Sequence, residues 1–311
     1  MKVIGLTAFL LLVAGLALSA ERPKITGIDH VDFYTTDPGA TERFYTVALG
    51  LESFPAVEPG QTHRYKVGSQ WVGYSPAPDS SSMNRMNHAA FRTSDCEAMR
   101  LYLREKGIHV PDSLGTLKTG ERIFRVKDPE GNTIEFVQAT GGTLMKVHVA
   151  GQPVTASNPI SRHMIHVGFI VHNRAAEDHF YKDILGFHLY WHGGMTADRD
   201  DWVAMQVPDG TDWLEYMLNI KPDPDLRTTG VMNHISLGVK DMKQAAAKVD
   251  AAIAQLPAAS RPRKDDKPKI GRDGKWQYNI YDPDQTRIEL MELTPAEKPC
   301  CSEFTGPHPK E

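Results

Sequence analysis

Cysteine is scarce in this sequence. The three residues are Cys96, Cys300 and Cys301, an odd number with two of them adjacent. That pattern excludes a disulfide framework, so the fold must rest on its apolar core. A vicinal pair in a polar tail can bind metal or link two chains; the simpler expectation is an incidental pair on a loose end. A basic surplus is also missing. The net charge is −4 and the pI is near 6.4, which removes the footprint that nucleic-acid binding requires. Long apolar runs are absent beyond the first twenty residues. "MKVIGLTAFLLLVAGLALSA" has one basic residue, an apolar run from about Val3 to Leu18, then Ser19 and Ala20. This is the pattern of a secretory signal peptide, and it is short for a spanning helix, which needs ~20 apolar residues. Residues 1–20 are therefore expected to be cleaved, leaving a secreted or periplasmic protein with no stable membrane insertion.

What is present is an internal repeat. "VMNHISLGVKD" (231–241) echoes "MNHAAFRTSD" (86–95), and three further blocks recur in the same order. "GIDHVDFYTTD" (27–37) matches "MIHVGFIVHN" (164–173), "ERFYTVALGLESF" (42–54) matches "EDHFYKDILGFHLY" (177–190), and "VKDPEGNTIEFVQ" (126–138) matches "IYDPDQTRIELME" (280–292). Repeats of this kind define structural units. The chain divides into domain one (25–140), a Gly- and Pro-containing linker (141–161), domain two (162–295) and a polar tail (296–311). Each domain divides again. A histidine opens an alternating, strand-like run, a helical stretch follows, and two or three strand-like runs close the unit. Four such βαβββ units give an α+β fold.

His30, His88, His166 and His234 each lie in the opening strand of a unit, and Glu135 and Glu289 in the closing strand of a domain. Strand side chains alternate between faces, so Glu135 shares a face with Thr133 and opposes Ile134 and Phe136. A carboxylate between two apolar neighbours implies one dry face and one polar face. Two histidines and one glutamate on neighbouring strands form the 2-His-1-carboxylate set that holds non-haem iron with open positions. A single strand histidine is usually structural; two sets at matching places in a repeat argue for a divalent metal ion.

The paired units, "FYxxxLGF"-type helices, "NH" openings and "DPxGxxIE" closings resemble the vicinal oxygen chelate superfamily. That group includes glyoxalase I, type I extradiol dioxygenases and the bleomycin- and fosfomycin-resistance proteins. The resemblance covers nearly all of 25–295. It implies four βαβββ modules forming two tandem half-barrels, each with a metal site: His30, His88 and Glu135 in one, His166, His234 and Glu289 in the other. Glyoxalase I has a further ligand on the last strand of the first unit. Here "DWLEYML" offers Glu215 at that place, whereas "QWVGYSP" puts Gly73 there, so domain two shows four candidates and domain one three.

Three functions follow from the resemblance. The first is an Fe(II) dioxygenase that opens a catechol-like ring, with Mn2+, Ni2+ or Zn2+ as other possible ions. The tandem architecture favours it. The tyrosine usual about ten residues before the glutamate ligand is replaced by Arg125 and Asn279, which become substrate-pocket candidates. The second is a glyoxalase-like isomerase or lyase in which Glu215 or Glu289 moves the proton. The third is a non-catalytic protein that binds a small molecule. All three take a small-molecule partner; the oligomeric state is not encoded in any of these features.

Overall fold

The computed structural model describes residues 21–139 and 158–311. The expected signal peptide, and all but residues 158–161 of the expected linker, lie outside them. Among the described residues no helix is long and apolar enough to cross a membrane.

Domain one runs β1 (Ile25–Thr35), α1 (Pro38–Arg43) with a π-helical continuation (Phe44–Ala48), β2 (Glu52–Pro55), β3 (His63–Val67) and β4 (Gln70–Pro76). Its second unit is β5 (Met86–Thr93), α2 (Cys96–Glu105), β6 (Gly115–Thr116), β7 (Arg122–Lys127) and β8 (Thr133–Gln138). The eight strands form one sheet in the order β2-β3-β4-β1-β5-β8-β7-β6. Each unit closes on itself by a parallel pair, β1 with β4 and β5 with β8, and the units join antiparallel through β1 and β5.

Domain two repeats the plan. It has β9 (Met164–Ile170), α3 (Arg174–Glu177) with a π-helical continuation (Asp178–Ile184), β10 (His188–Gly193), β11 (Trp202–Gln206) and β12 (Trp213–Met217). Then come α4 (Leu226–Met232), β13 (His234–Val239), α5 (Met242–Ala254), β14 (Lys269–Ile270), β15 (Trp276–Tyr281) and β16 (Arg287–Glu292). The strand order, β10-β11-β12-β9-β13-β16-β15-β14, mirrors that of domain one. The additional helix α4 lies between β12 and β13. It accounts for four of the ten residues by which the spacing from His166 to His234, 68, exceeds that from His30 to His88, 58; the other six lie before β12.

The repeat's acidic endings have a local cause. Asp95 accepts from the amides of Glu97 and Ala98, and Asp241 from that of Gln244. Asp37 and Asn173 do the same for α1 and α3. Each opening strand thus ends on the side chain that caps the next helix, satisfying amides left without partners in its first turn. At the other end Gly50 and Gly186 take φ of +63° and +78°, a conformation that disfavours other residues.

The inner faces of both sheets contribute to one apolar core. Ile134 and Phe136, the neighbours of Glu135, belong to it, as do Ile288 and Leu290 beside Glu289. The domains also dock by a reciprocal polar contact. Asp128, from the "DP" turn of domain one, accepts from Tyr181 of domain two at 3.1 Å. Asp282, from the "DP" turn of domain two, accepts from Tyr74 of domain one at 2.7 Å, and Tyr74 bonds Tyr45. Tyr45 and Tyr181 are the matching residues of the "FY" repeat. The motif therefore has a docking role as well as marking the turn before the glutamate strand.

The tail corrects an expectation. Residues 296–311 are not a loose end. Phe304 packs on Tyr190 with ring centres 4.8 Å apart, Tyr190 bonds His308, and Gln206 donates to the carbonyl of Pro307. Cys300 and Cys301 are joined as a vicinal disulfide, with the Cys300 carbonyl accepting from Trp191. The tail had no strand or helix periodicity, so its seat on β10 was not visible in sequence.

Candidate metal centres

In domain one the sheet brings His30 (β1), His88 (β5) and Glu135 (β8) to one polar face. The two imidazole Nε2 atoms stand 3.0 Å apart. Glu135 Oε1 lies 3.5 Å from His30 Nε2 and makes no hydrogen bond. A fourth group joins them that sequence reasoning missed. Glu58, in the loop between β2 and β3, places Oε1 at 2.9 Å from His30 Nε2 and 3.5 Å from His88 Nε2. One ligand atom from each of the four buried residues lies within 4.8 Å of all the others. No pattern signalled Glu58, because "FPAVEPGQ" has no strand register. The expectation of three candidates in this domain is corrected to four.

A side chain at Gly73 would collide with Gln61 and Asp32, which are hydrogen-bonded at 2.9 Å. Arg125, a substrate-pocket candidate, is engaged within the cluster. Its Nε donates to Glu135 Oε2 at 2.7 Å, its Nη2 pairs with Glu58 Oε2, and the same nitrogen is 3.4 Å from His88 Nε2. The fork is occupied by the site's own carboxylates rather than by a free anion. His30 Nδ1 is 2.8 Å from Asp29, which Arg92 contacts at 2.9 Å. Burial opposes protonation of His30, but Asp29 and Glu58 outweigh it and raise its pKa well above the usual range. Glu58 is held low for the converse reason: burial favours its neutral form, and hydrogen bonds from His30 and His88 overcome that.

In domain two His166 (β9), His234 (β13) and Glu289 (β16) converge in the same way and are all buried. The Nε2 atoms are again 3.0 Å apart, and Glu289 Oε2 is 3.3 and 3.9 Å from them. Glu215 (β12) stands at a comparable distance, 3.8 Å from His166 and 3.5 Å from His234, but outside the group of three whose ligand atoms all lie within 4.8 Å of one another. Burial, then the charge of Glu289, pushes its carboxyl up to about 8. Glu289 stays below the carboxylate range because Arg287 and His166 outweigh its burial. Arg287, also not anticipated, donates to His234 Nε2 at 2.6 Å. It lies two residues before Glu289, so strand alternation alone puts it on the same face. Burial, then Arg287, lowers the pKa of His234 well below its usual value. Asn279 sits opposite Glu289 in register, with its amide donating to Asp265 at 2.9 Å. The Trp213 ring lies 4.8 Å from His166, and the fully buried Lys275 has its ammonium 4.6 Å from that Trp213 ring.

These donor sets fit a divalent ion. Two ligands ~2.1 Å from one ion and at right angles stand about 3.0 Å apart, as both histidine pairs do. Imidazole with carboxylate suits first-row metals. Glu135 Oε1 is a buried acceptor directed at the cluster with nothing else to satisfy it.

The comparisons agree with this architecture. The family model described as Glyoxalase/Bleomycin resistance protein/Dioxygenase superfamily matches residues 27–136 and 163–290. The chain belongs to that superfamily. No curated protein matches the sequence. Among solved structures, the 2,3-dioxygenase LapB from Pseudomonas sp. KL28 is similar with a TM-score of 0.64 at 15% identity, over 93% of this chain and 96% of that one. Homoprotocatechuate 2,3-dioxygenase from Brevibacterium fuscum is similar with a TM-score of 0.62 at 19% identity, over 88% and 72% of the two chains. The chain thus has the fold of extradiol dioxygenases and the buried His/Glu groups of a metalloenzyme of this superfamily.

Proposed function

We propose that the protein is an Fe(II)-dependent dioxygenase of a small catechol-like substrate, with its reaction at His166, His234 and Glu289. The observation that carries this reading is the convergence of two imidazole nitrogens and one carboxylate from three neighbouring strands. Such a triad leaves positions open on an ion. Likeness in fold to two-domain ring-cleaving dioxygenases supports it. His166, His234 and Glu289 would hold the ion, which would supply Lewis-acid and redox chemistry to a substrate with neighbouring oxygens. The chain would supply the rest. His234 donates from Nδ1 to the Met232 carbonyl at 2.8 Å, which fixes the tautomer and aims Nε2 inward. Arg287 would turn from His234 to the ionised substrate oxygens. Trp213 and Lys275 would give an aromatic wall and a positive charge beside them. Residues 1–20 support export from the cytosol, so the substrate would be met outside it.

The second reading is a metal-dependent isomerase or lyase. Glu215 favours it, since a second carboxylate beside the histidines can serve as ligand or proton carrier. One pair of assays separates the two: substrate loss and oxygen consumption, measured on protein loaded with iron without oxygen. Under the leading reading catechols drive oxygen uptake, and Glu215→Gln retains the iron and much of that uptake. Substrate loss without oxygen uptake, abolished by Glu215→Gln, would replace it with the second.

A further inference from the structure

The loop after α5 carries "SRPRK" (260–264), whereas the matching stretch of domain one, "GIHVPDS" (107–113), has no lysine or arginine. Arg261 and Arg263 of this loop, with Arg43 from α1, line a cleft between the two domains. Its volume of about 290 Å³ stands at the lower edge of small-molecule sites, about 300–1,000 Å³, which favour domain interfaces. Among the described residues none of the three arginines forms an ion pair; the arginines that do are others. Arg43 is exposed. Arg261 donates to the carbonyls of Leu256 and Ala254 at 3.1 and 3.0 Å, which fixes the side chain without neutralising it. The Arg263 guanidinium lies 3.2 Å over the Tyr281 ring, and its Nε and Nη2 are buried without a hydrogen-bond partner. A buried donor left unmet is costly, the more so when charged. Two carboxylates also line the cleft, and both are engaged elsewhere. Asp37 caps α1, accepting from the Ala40 amide at 2.9 Å, and Asp282 accepts from Tyr74 and the Thr286 amide at 2.7 and 2.8 Å. Three like charges therefore share one cleft with no anion to offset them.

We propose that this cleft binds a small phosphate ester, with Arg43, Arg261 and Arg263 holding the phosphate group. Arginine presents a fork of donors that matches phosphate oxygens, and arginine clusters are a recurrent means of phosphate recognition. A phosphate brings nearly two negative charges at neutral pH and three strong acceptor oxygens, which suits three cations better than a single carboxylate does. Phe44 and Leu256 line the same cleft and give the organic part of the ester an apolar wall. The arginines come from both domains, so the bound ester ties α1 to the loop after α5. The cleft shares no residue with either histidine cluster, and the assignment is independent of the reaction proposed for domain two.

The test titrates glycerol 2-phosphate and inorganic phosphate into chelator-treated full-length protein by calorimetry, at constant ionic strength, with melting temperature read alongside. One ester per chain is expected, bound at least as tightly as inorganic phosphate, with a rise in melting temperature on binding. Arg43→Gln and Arg263→Met should each weaken binding roughly 10- to 100-fold, the loss of one charge-assisted contact. Melting curves without phosphate establish that each variant is folded; Arg43 is exposed, so its variant keeps the test open if Arg263→Met does not fold. No saturable binding of either probe would overturn the site. Binding unchanged in folded Arg43→Gln and Arg263→Met would place the anion elsewhere and overturn it as well. Tighter binding of malonate than of either phosphate would overturn the ligand class in favour of a dicarboxylate.

Discussion

Raising the pH should loosen the contact between the domains, and Asp282 sets the size of the effect. Its carboxyl is pushed up to about 7, by burial first and with Asp284 adding to it. In the unfolded chain an aspartate titrates near 3.9. The folded state therefore keeps a proton that the unfolded state releases between about pH 4 and 7. Stability from this group is fully present below that window and is lost as pH rises through it. About three pKa units at 1.36 kcal/mol each correspond to roughly 4 kcal/mol. Asp282→Asn removes the titration and preserves the contact. Its carbonyl can accept from the Thr286 amide, which Asp282 Oδ1 does at 2.8 Å. Its NH2 can donate to Tyr74, whose hydroxyl then turns to Tyr45. The assay is the urea-unfolding free energy of both proteins at pH 5 and 8, in chelator so that metal loading does not vary. One apolar core runs through both domains, so a single transition is expected. Because pH 5 already lies about one unit above the unfolded pKa, about two of the three units fall between the two pH values, and the wild type should lose roughly 2.7 kcal/mol more than the variant. Equal losses would refute the reasoning.

Two further outcomes follow from contacts around domain two. Gly168 faces the His234 ring so closely that a Cβ there would collide with it; Gly168→Ala should therefore weaken metal binding by the domain-two triad, read by titration in a His30→Ala/His88→Ala background, and unchanged affinity would show that the ring has room to move. Phe304 is half-buried on Tyr190, so Phe304→Ala should cost about 1–2 kcal/mol, less than the 3–5 of a full core deletion; an unaltered urea midpoint would mean that the tail contributes no packing.

Much of the site was legible because it lies on strands. The period of two fixes which face a residue takes, and the repeat fixes which strand it sits on. His30, His88, His166, His234, Glu135 and Glu289 were found from these two regularities, and Arg287 was open to the same reasoning. Glu58 was not, since a loop between two prolines has no period and its carboxylate is held by His30 and Arg125, distant in sequence. Arg125 was expected to line a substrate pocket, and its pairing with the site's carboxylates was not foreseen. Sequence shows a cation near a site, and only the register of Arg125 opposite Glu135 shows that the cation is already engaged. The tail was misjudged because its seat depends on Tyr190 and Gln206, more than 100 residues away.

The register also explains why the domains obtain their second carboxylate differently. Asp32 on β1 stands beside Gly73 on β4, and Gly168 on β9 beside Glu215 on β12. Each domain has one carboxylate and one glycine in this cross-strand pair, with the strands exchanged. On β12 the carboxylate reaches both histidines. On β1 it is bound by Gln61, Ser75 and Asn87, each at 2.9 Å, and does not join the cluster. Domain one must then draw its fourth ligand from the Glu58 loop. The pair in domain one should behave as a coupled unit, because Gly73 makes room for the carboxylate of Asp32. Gly73→Glu alone would place a carboxylate against Asp32 and displace Gln61, so it should destabilise the protein strongly. Asp32→Gly alone leaves Gln61, Ser75 and Asn87 without their acceptor. Together the two changes restore the arrangement of domain two, and the double variant should be more stable than the sum of the single changes by about 1–3 kcal/mol, the range for residues in contact. The measurement is a double-mutant cycle of unfolding free energies with metal absent. Strict additivity would show that the exchanged pair is a coincidence of two separate positions.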